Sequence, residues 1–400
     1  MLGSPYLSIR RCPLRCARPF PGPFSTPFED PTRHDLSPFP PDPPPVNAPP
    51  AVRPRADEGA RAVLARRHGG AALAAGLCLL AVLLLAALVL SLAVGSGHVP
   101  LRDVVQGVFD PDRSVRAQLV VQEVRVPRTL AGLLAGAALG LAGAVMQGVT
   151  RNPLADPGLL GVNAGASVAV VFAMSVLSLT APEQYIWFGF LGACLAALLV
   201  YGVAGLGREG ATPVKLALAG AAATGLLISL TDTMLLTDSQ AYDQYRFWQV
   251  GALDGRDLDV VLQAAPFIVV GGVLALGLGP RLNGLALGDD LARALGQRVG
   301  VARALGAVST VLLCGAATAI AGPLGFVGLA VPHAVRMFTG PDHRWVLPYS
   351  ALLAPVLLLV ADVVGRVIAP PGEVQVGVVT AAVGCVPFIL LVRRRGKETL

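Results

Sequence analysis

The sequence predicts an all-α polytopic membrane protein with ten transmembrane helices. Of its 400 residues, 54% are hydrophobic and only 14% are charged, whereas an ordinary soluble domain is about one-quarter charged. About 20 apolar residues cross the hydrocarbon core as a helix, and barrel strands would alternate over about ten residues. Nine blocks lack Asp, Glu, Lys and Arg, namely 71–94, 129–150, 159–180, 184–206, 216–231, 260–280, 304–332, 345–361 and 374–392.

Residues 1–68 are predicted to be a proline-rich, disordered cytoplasmic tail. Residues 1–60 contain 16 of the 33 prolines, and such a composition cannot bury a core. No apolar run follows the early arginines, so a signal peptide is not expected. A solvated extension, a misplaced start codon and a proline-rich ligand for a partner domain all fit this composition.

Positive residues at both ends of the apolar region predict its orientation, because cytoplasmic flanks carry an excess of Lys and Arg. Both termini are therefore predicted to be cytoplasmic, which requires an even number of crossings. The net charge of +6 comes mostly from loops and ends and indicates topology rather than nucleic-acid binding. The flanking residues are Arg61, Arg66 and Arg67 before the first block and Arg393, Arg394, Arg395 and Lys397 after the last.

One of the nine blocks is long enough to contain two spans. Within 304–332, the sequence Ala321-Gly-Pro-Leu-Gly325 breaks helices. Division there gives spans near 303–321 and 324–338 and brings the count to ten. The transmembrane domain then covers residues 69–395, followed by a C-terminal tail at 396–400.

The span that begins after Arg128 is predicted to form a helix hairpin with its successor. Arginines at 125 and 128 precede an uncharged run, and a polar turn separates that run from the next one. Small residues at four-residue spacing allow close helix packing in lipid, unless they only reflect the alanine-rich composition. These small residues are Gly132, Gly136, Gly140 and Ala144, then Gly161 and Gly165, and the turn residues are Asn152, Pro153, Asp156, Pro157 and Gly161.

The predicted inside loop at 281–300 contains a short helix. Asp289 or Asp290 is expected to cap its N-terminus, and Gly296 is expected to end it. Leu291 and Leu295 then share one face, with Leu285 and Leu287 beside it. Such a helix fits either a docking site for a cytoplasmic partner or a segment lying on the lipid surface.

The chain lacks the residues of a catalytic, metal or energy-coupling site. It contains no phosphate-binding Gly-x-x-x-x-Gly-Lys-Ser/Thr loop, and its cysteines and histidines lack the spacing of metal ligands. Asp232 and Asp362 are exceptional acids near the outer ends of spans. Because Arg366 follows Asp362 by four residues, a local ion pair is expected there.

At this point the motifs resemble those of the FecCD family, permease subunits of ABC importers for iron–siderophores, haem and cobalamin. The resemblance covers about residues 70–395 and includes Arg125-Val-Pro-Arg128 and Glu373-Val-Gln-Val-Gly377, where Gln375 stands in place of the usual proline. Further matching motifs lie at 143–147, 151–161, 287–296, 322–336, 342–344 and 380–384.

The resemblance implies the type II ABC importer permease fold and a set of partners. These are a second permease chain (identical or a paralogue), two cytoplasmic ATPases that bind Mg-ATP, and an extracytoplasmic binding protein. It implies that Arg125, Arg128 and Arg366 receive carboxylates of the binding protein, unless they only snorkel at the membrane interface. It assigns residues 284–300 to the ATPase-coupling helices. The chain itself is expected to hold no cofactor.

The resulting prediction is a non-enzymatic, multi-pass subunit in the plasma (inner) membrane that imports iron–siderophore complexes. Cobalamin and haem are alternatives within the same class. A self-sufficient secondary transporter and a membrane scaffold without a path are alternatives from other classes. A secondary transporter would need buried coupling carboxylates, which are scarce in this chain.

Overall fold

A computed structural model describes residues 56–95, 99–109, 112, 114–206, 212–369 and 372–385, with side chains from residue 69 onward except at Leu101 and Leu159. The chain divides into the units 1–59 and 60–400, and the helical bundle belongs to the second unit. Most of the predicted tail, the positive residues after the last span and the segment 396–400 lie outside the described residues. The first helix begins at Ala56, inside the predicted tail, and its alanine-rich start favours a helix.

Every regular element in the described part of the chain is helical. The first eight α-helices are α1 (Ala56–Ala93), α2 (Leu101–Phe109), α3 (Arg116–Val120), α4 (Val126–Thr150), α5 (Val162–Ser175), α6 (Pro182–Ala204), α7 (Pro213–Thr237) and α8 (Ser239–Val250). The others are α9 (Leu258–Gly277), α10 (Gly279–Ala286), α11 (Asp289–Ala294), α12 (Val299–Ala321), α13 (Val327–Thr339), α14 (His343–Ile368) and α15 (Val376–Cys385).

Seven helices of the described residues are long and apolar enough to cross a membrane. They comprise α1 from Gly69 onward, the continuous helix Arg116–Thr150, and α6, α7, α9, α12 and α14. Two shorter apolar helices, α5 and α15, accompany them. The structure therefore shows an all-helical membrane protein with seven full-length candidate spans.

Helix α4 is the centre of the packing and contacts α14, α12, α13 and α9. Its glycines permit this close approach. A Cβ at Gly136 would lie 2.6 Å from Pro355 Cα on α14, and one at Gly140 would lie 2.7 Å from Ala354 Cβ. The glycine spacing therefore has the packing role that the sequence predicts. Gly165 has the same role between α5 and α6, where a Cβ would collide with the carbonyl of Gly192.

The predicted break in the long block is present between α12 and α13. Helix α12 ends at Ala321, and Gly322 adopts a left-handed φ of 74°. The Ala252 N–H donates to the carbonyl of Ala321 at 2.8 Å, which satisfies one of the orphan carbonyls at a helix end. Helix α13 begins at Val327 after Phe326, a non-glycine residue with a φ of 66°.

Candidate docking and coupling sites

The three arginines of the predicted docking site lie together at one end of the bundle. It is called here the outer end because the positive flanks and the ten-span count predict that it faces outside. Arg125, Arg128 and Arg366 are only 4%, 7% and 3% exposed. With Arg116 and Glu373 they line one open pocket of about 320 Å³. The structure thus brings the three predicted side chains together. They are buried in the wall of a pocket and are not exposed at the membrane interface.

A π-helical turn, Val121–Arg125, joins α3 to α4 directly before this site. Pro127 cannot donate a backbone hydrogen bond, and in a regular α-helix its ring clashes with the carbonyl four residues earlier. The wider π turn relieves that clash. One extra residue in a turn rotates the side chains that follow by about 100°, so the turn sets the direction in which Arg125 and Arg128 point.

Two of the arginines bind the C-terminal end of α1. Arg125 Nη1 donates to the carbonyls of Leu92 and Ala93 at 2.7 and 2.8 Å. Arg366 Nη1 donates to the carbonyls of Ser91 and Val94 at 3.0 and 2.8 Å. Positive charge at a helix C-terminus satisfies orphan carbonyls and interacts favourably with the helix dipole. These two arginines therefore have a clear role in holding α1 against α4 and α14.

Arg128 binds two carboxylates instead of a helix end. Its Nε and Nη2 donate to Asp362 at 2.8–3.1 Å, and its Nη1 donates to Glu373 Oε2 at 2.7 Å. Asp362 also pairs with Arg366 at 2.8 Å. With Arg116, which also lines the pocket, four guanidinium groups stand against the two carboxylates of Asp362 and Glu373, so the pocket keeps a net positive charge.

Sequence reasoning found only part of this cluster. The expected pair between Asp362 and Arg366 is present. The pairing of Asp362 with Arg128, 234 positions away, has no local signal in the sequence. Gly95 was also missed; a Cβ there would lie 2.9 Å from Arg125 Nη2, so a side chain at this position would displace the Arg125 guanidinium.

The predicted coupling segment, residues 284–300, contains the end of α10, all of α11 and the first residues of α12. Leu287, Leu291 and Leu295 are 58%, 49% and 67% exposed, whereas Leu285 is 1% exposed and belongs to the core. Leu285 therefore cannot form part of an exposed docking face, which corrects the sequence prediction. The three exposed leucines remain as an unpaired apolar surface at the end opposite the arginine pocket, called the inner end.

The ends of α11 differ in part from the prediction. Gly288 is the N-cap residue, and no side chain caps the helix; Asp289 and Asp290 lie in its first turn. Their negative charge still favours that position through the helix dipole. Gly296 has a φ of +81°, and its N–H donates to the carbonyl of Arg293 at 2.9 Å, as expected for a glycine that ends a helix.

Asp289 binds arginines from three parts of the inner end. It pairs with Arg303 of α12 at 2.9 Å, with Arg151 after α4 at 3.2 Å and more loosely with Arg293 at 3.8 Å. Arg151 has a left-handed φ of 52° as the residue that ends α4. The coupling segment is therefore attached to both α4 and α12, so a force on it reaches the central helix directly.

The hairpin residues build the turn between α4 and α5. Asn152 Oδ1 accepts from the Leu154 N–H at 3.0 Å. Asp156 Oδ1 accepts from the Gly158 N–H at 2.8 Å and caps a short 3-10 helix that starts at Pro157. Burial raises the pKa of Asp156, and the Gly158 hydrogen bond offsets part of that rise.

The other residues of the turn, Gly161, Pro157 and Pro153, also have structural roles or positions within it. Gly161 ends the 3-10 helix with a φ of 70° and precedes α5. Pro157 approaches α13, since a Cβ at Gly328 would lie 3.1 Å from its Cδ. Pro153 is half-buried within the turn. The motif thus fixes the hairpin.

Two polar contacts at the inner side were missed by sequence analysis. Gln147 of α4 accepts from Arg336 of α13. Asn283 of α10 donates to Asp342 Oδ1 at 2.6 Å, just before α14. Burial acts to raise the pKa of Asp342, but hydrogen bonds from Asn283 and the Arg344 N–H and the charges of Arg344 and His343 hold it below its ordinary value. These contacts join the inner ends of four helices.

The glycine-packed helices, with a charged pocket at one end and an apolar coupling surface at the other, define a polytopic membrane permease. The model of the FecCD transport family matches residues 83–394. The chain therefore belongs to the FecCD transport family, as its motifs predict. It is a permease subunit of an ABC importer and not an enzyme.

Individual relatives agree with this assignment. The chain is 46% identical over 316 residues to the ferric enterobactin transport system permease protein FepD of Escherichia coli strain K12, covering 79% of this chain and 94% of that protein. It is 39% identical over 290 residues to the cobalamin import system permease protein BtuC of Halobacterium salinarum, covering 71% and 76%. A solved metal-chelate type ABC transporter in an inward-facing conformation matches with a TM-score of 0.69 and 27% identity, covering 80% of this chain and 98% of that one.

Proposed function

We propose that this permease imports ferric siderophore complexes that an external binding protein delivers. The observation that carries the proposal is the pocket in which Arg125, Arg128 and Arg366 converge at the outer end. Its net positive charge suits acidic side chains of a docking protein, since complementary charge orients and accelerates association. The substrate class follows from FepD and from a probable siderophore permease of Bacillus subtilis, 41% identical over 315 residues.

The energy would come from two cytoplasmic ATPases that bind Mg-ATP. Leu287, Leu291 and Leu295 present the apolar face that such a partner can cover. Asp289 would transmit its movement to α4 and α12 through Arg151 and Arg303. Closure of the ATPases would then tilt the attached helices around a path shared with a second permease chain, identical or paralogous.

The membrane arrangement that supports this function has ten spans. The three short helices α5, α13 and α15 would complete the seven long ones. With an even number of spans, both termini lie on the same side of the plasma membrane. The positive flanks assign that side to the cytoplasm. The break between α12 and α13 supports this count, because it divides a long apolar block into two helices.

Substrate uptake into proteoliposomes tests the proposal. Vesicles containing the permease and its ATPases, supplied with the binding protein, should accumulate iron-55 from ferric enterobactin when ATP is present on the side of the ATPases. Cyanocobalamin tests the alternative that the cobalamin relative supports. Uptake by vesicles that contain this chain without an ATPase would contradict the proposal.

A further inference from the structure

Arg128 binds two carboxylates that lie in very different surroundings. The Asp362 side chain is 1% exposed, whereas the Glu373 side chain is 27% exposed at the pocket. Asp362 accepts from Nε and Nη2 of Arg128 and also pairs with Arg366. Glu373 meets Arg128 through one oxygen, at Nη1. Of the two carboxylates, Glu373 is the one that water and an incoming group can reach.

The same geometry makes Glu373 the easier carboxylate to displace. Removing Asp362 from Arg128 would leave buried charges uncompensated, which is very unfavourable. Glu373 can instead turn into water, where its charge is solvated, while Asp362 continues to compensate Arg128. Its departure would leave Nη1 of Arg128 directed into the pocket while Asp362 keeps the guanidinium in place.

Glu373 also lies outside the long helices, on a segment whose backbone is anchored to α14. It follows α14 and precedes α15, in the non-helical stretch 372–375. The neighbouring Val374 N–H donates to the Gly365 carbonyl at 3.0 Å, so the backbone is anchored while the longer Glu373 side chain remains the variable part.

We propose that Glu373 is an internal competitor that occupies Arg128 in the place a carboxylate of the binding protein takes on docking. Docking is then an exchange of one carboxylate for another on Nη1. The exchange keeps the charge around Arg128 balanced before and after docking, and it lowers the affinity of the undocked permease for stray anions. This inference rests on the proposed docking at the arginine pocket.

Removal of the competitor should strengthen external carboxylate binding. If Glu373 occupies Arg128 nine-tenths of the time, the Glu373→Gln variant should bind an external carboxylate about tenfold more tightly, because apparent affinity scales with the competent fraction. The first probe is glutarate, whose ends match a glutamate side chain. The melting temperature of the purified permease is measured as glutarate is added, and the rise in melting temperature gives the half-saturating glutarate concentration. Sodium chloride at equal ionic strength is the reference.

A matched control separates competition from a general change in charge. Glu123 is exposed, precedes the same helix α4 and does not line the pocket. The Glu123→Gln variant removes the same charge and should bind glutarate as the unmodified chain does. The side chain of the Glu373→Asp variant is shorter and reaches Arg128 less well, so its affinity for glutarate should lie between those of the unmodified chain and Glu373→Gln. This variant keeps the test valid if Glu373→Gln folds poorly.

The second measurement uses the binding protein in the reconstituted complex. Its half-saturating concentration for stimulating ATP hydrolysis should fall in Glu373→Gln and rise in Arg128→Gln. If Arg128→Gln raises it but Glu373→Gln leaves both this value and glutarate binding unchanged, the inference is wrong while the docking proposal survives. If Arg128→Gln has no effect on stimulation, docking at this pocket is wrong, and the exchange fails with it.

Discussion

Asp362 is the residue on which the outer end depends most. It lies 1% exposed between Arg128 and Arg366, and both guanidinium groups pair with it. A buried ion pair is weak evidence for stability as such, but removal of one partner leaves an uncompensated charge. Asp362 is thus a counter-ion shared between α4 and α14, and its loss affects two helices at once.

The Asp362→Asn variant should therefore be strongly destabilised, by about 3–5 kcal/mol. The measurement is the free energy of unfolding in detergent, by denaturant or thermal titration. Asp243→Asn is the matched control, because its pair with Arg246 is exposed on both sides and such pairs contribute about 0–1 kcal/mol. Equal, small effects for both variants would show that Asp362 does not compensate the two arginines.

The family resemblance predicted the arginines of this cluster better than their partners. It is the resemblance that grouped Arg125, Arg128 and Arg366 at one site. Their burial could not be predicted, because it depends on how α1 ends against α4 and α14. A helical spacing of four reveals Asp362 with Arg366, but the bond between Asp362 and Arg128 joins residues 234 positions apart and requires the tertiary structure.

At the scale of elements, helix periodicity predicted the exposed face of α11 but not the surroundings of its neighbours. The sequence placed Leu291 and Leu295 on one face with Leu285 and Leu287 beside it, whereas the structure turns Leu285 into the core and leaves the other three outside. The two helices are short, and Gly288 between them has a φ of 105°. Such a turn changes the direction of the chain, so leucines on α10 and α11 do not share a face as they would on one continuous helix.

Replacement of Leu291 and Leu295 by Asp should detach the ATPase and leave the permease folded. These two side chains are 49% and 67% exposed, and charges in an apolar interface are unfavourable. The measurement is co-purification of the ATPase with the tagged permease, beside the melting temperature of the permease alone.

Leu285→Ala distinguishes this loss from a loss of folding. Because Leu285 is buried, its truncation should cost about 2–5 kcal/mol of stability and lower the melting temperature. The folded fraction should still retain the ATPase. Unchanged co-purification of the Leu291→Asp, Leu295→Asp variant would rule out this surface as the coupling site.

At the scale of the whole molecule, α4 connects the two functional ends. Arg128 lies near its outer end and Arg151 ends it at the inner side, a helical separation of about 35 Å, comparable with the hydrocarbon core of about 30 Å. Arg128 is bound to Glu373 beside the pocket, and Arg151 to Asp289 of the coupling segment. If docking and ATPase contact occur at these ends as proposed, α4 offers a direct mechanical route between them.

This route requires the two ends to face opposite sides of the membrane, and cysteine labelling tests that arrangement. Asp243 on α8 and Asp290 on α11 are both exposed and lie on loops of opposite predicted side. In a chain whose six native cysteines are replaced by serine, the D243C variant should react with a membrane-impermeant maleimide in intact cells. The D290C variant should react only after permeabilisation, because the positive flanks and the ten-span count predict that both termini and the coupling segment lie on the cytoplasmic side. A variant that retains only Cys314, which is 1% exposed, should stay unlabelled in both conditions and so reports unfolded protein. Labelling of both engineered positions in intact cells would mean that the two ends share one compartment, and then α4 could not carry movement across the membrane.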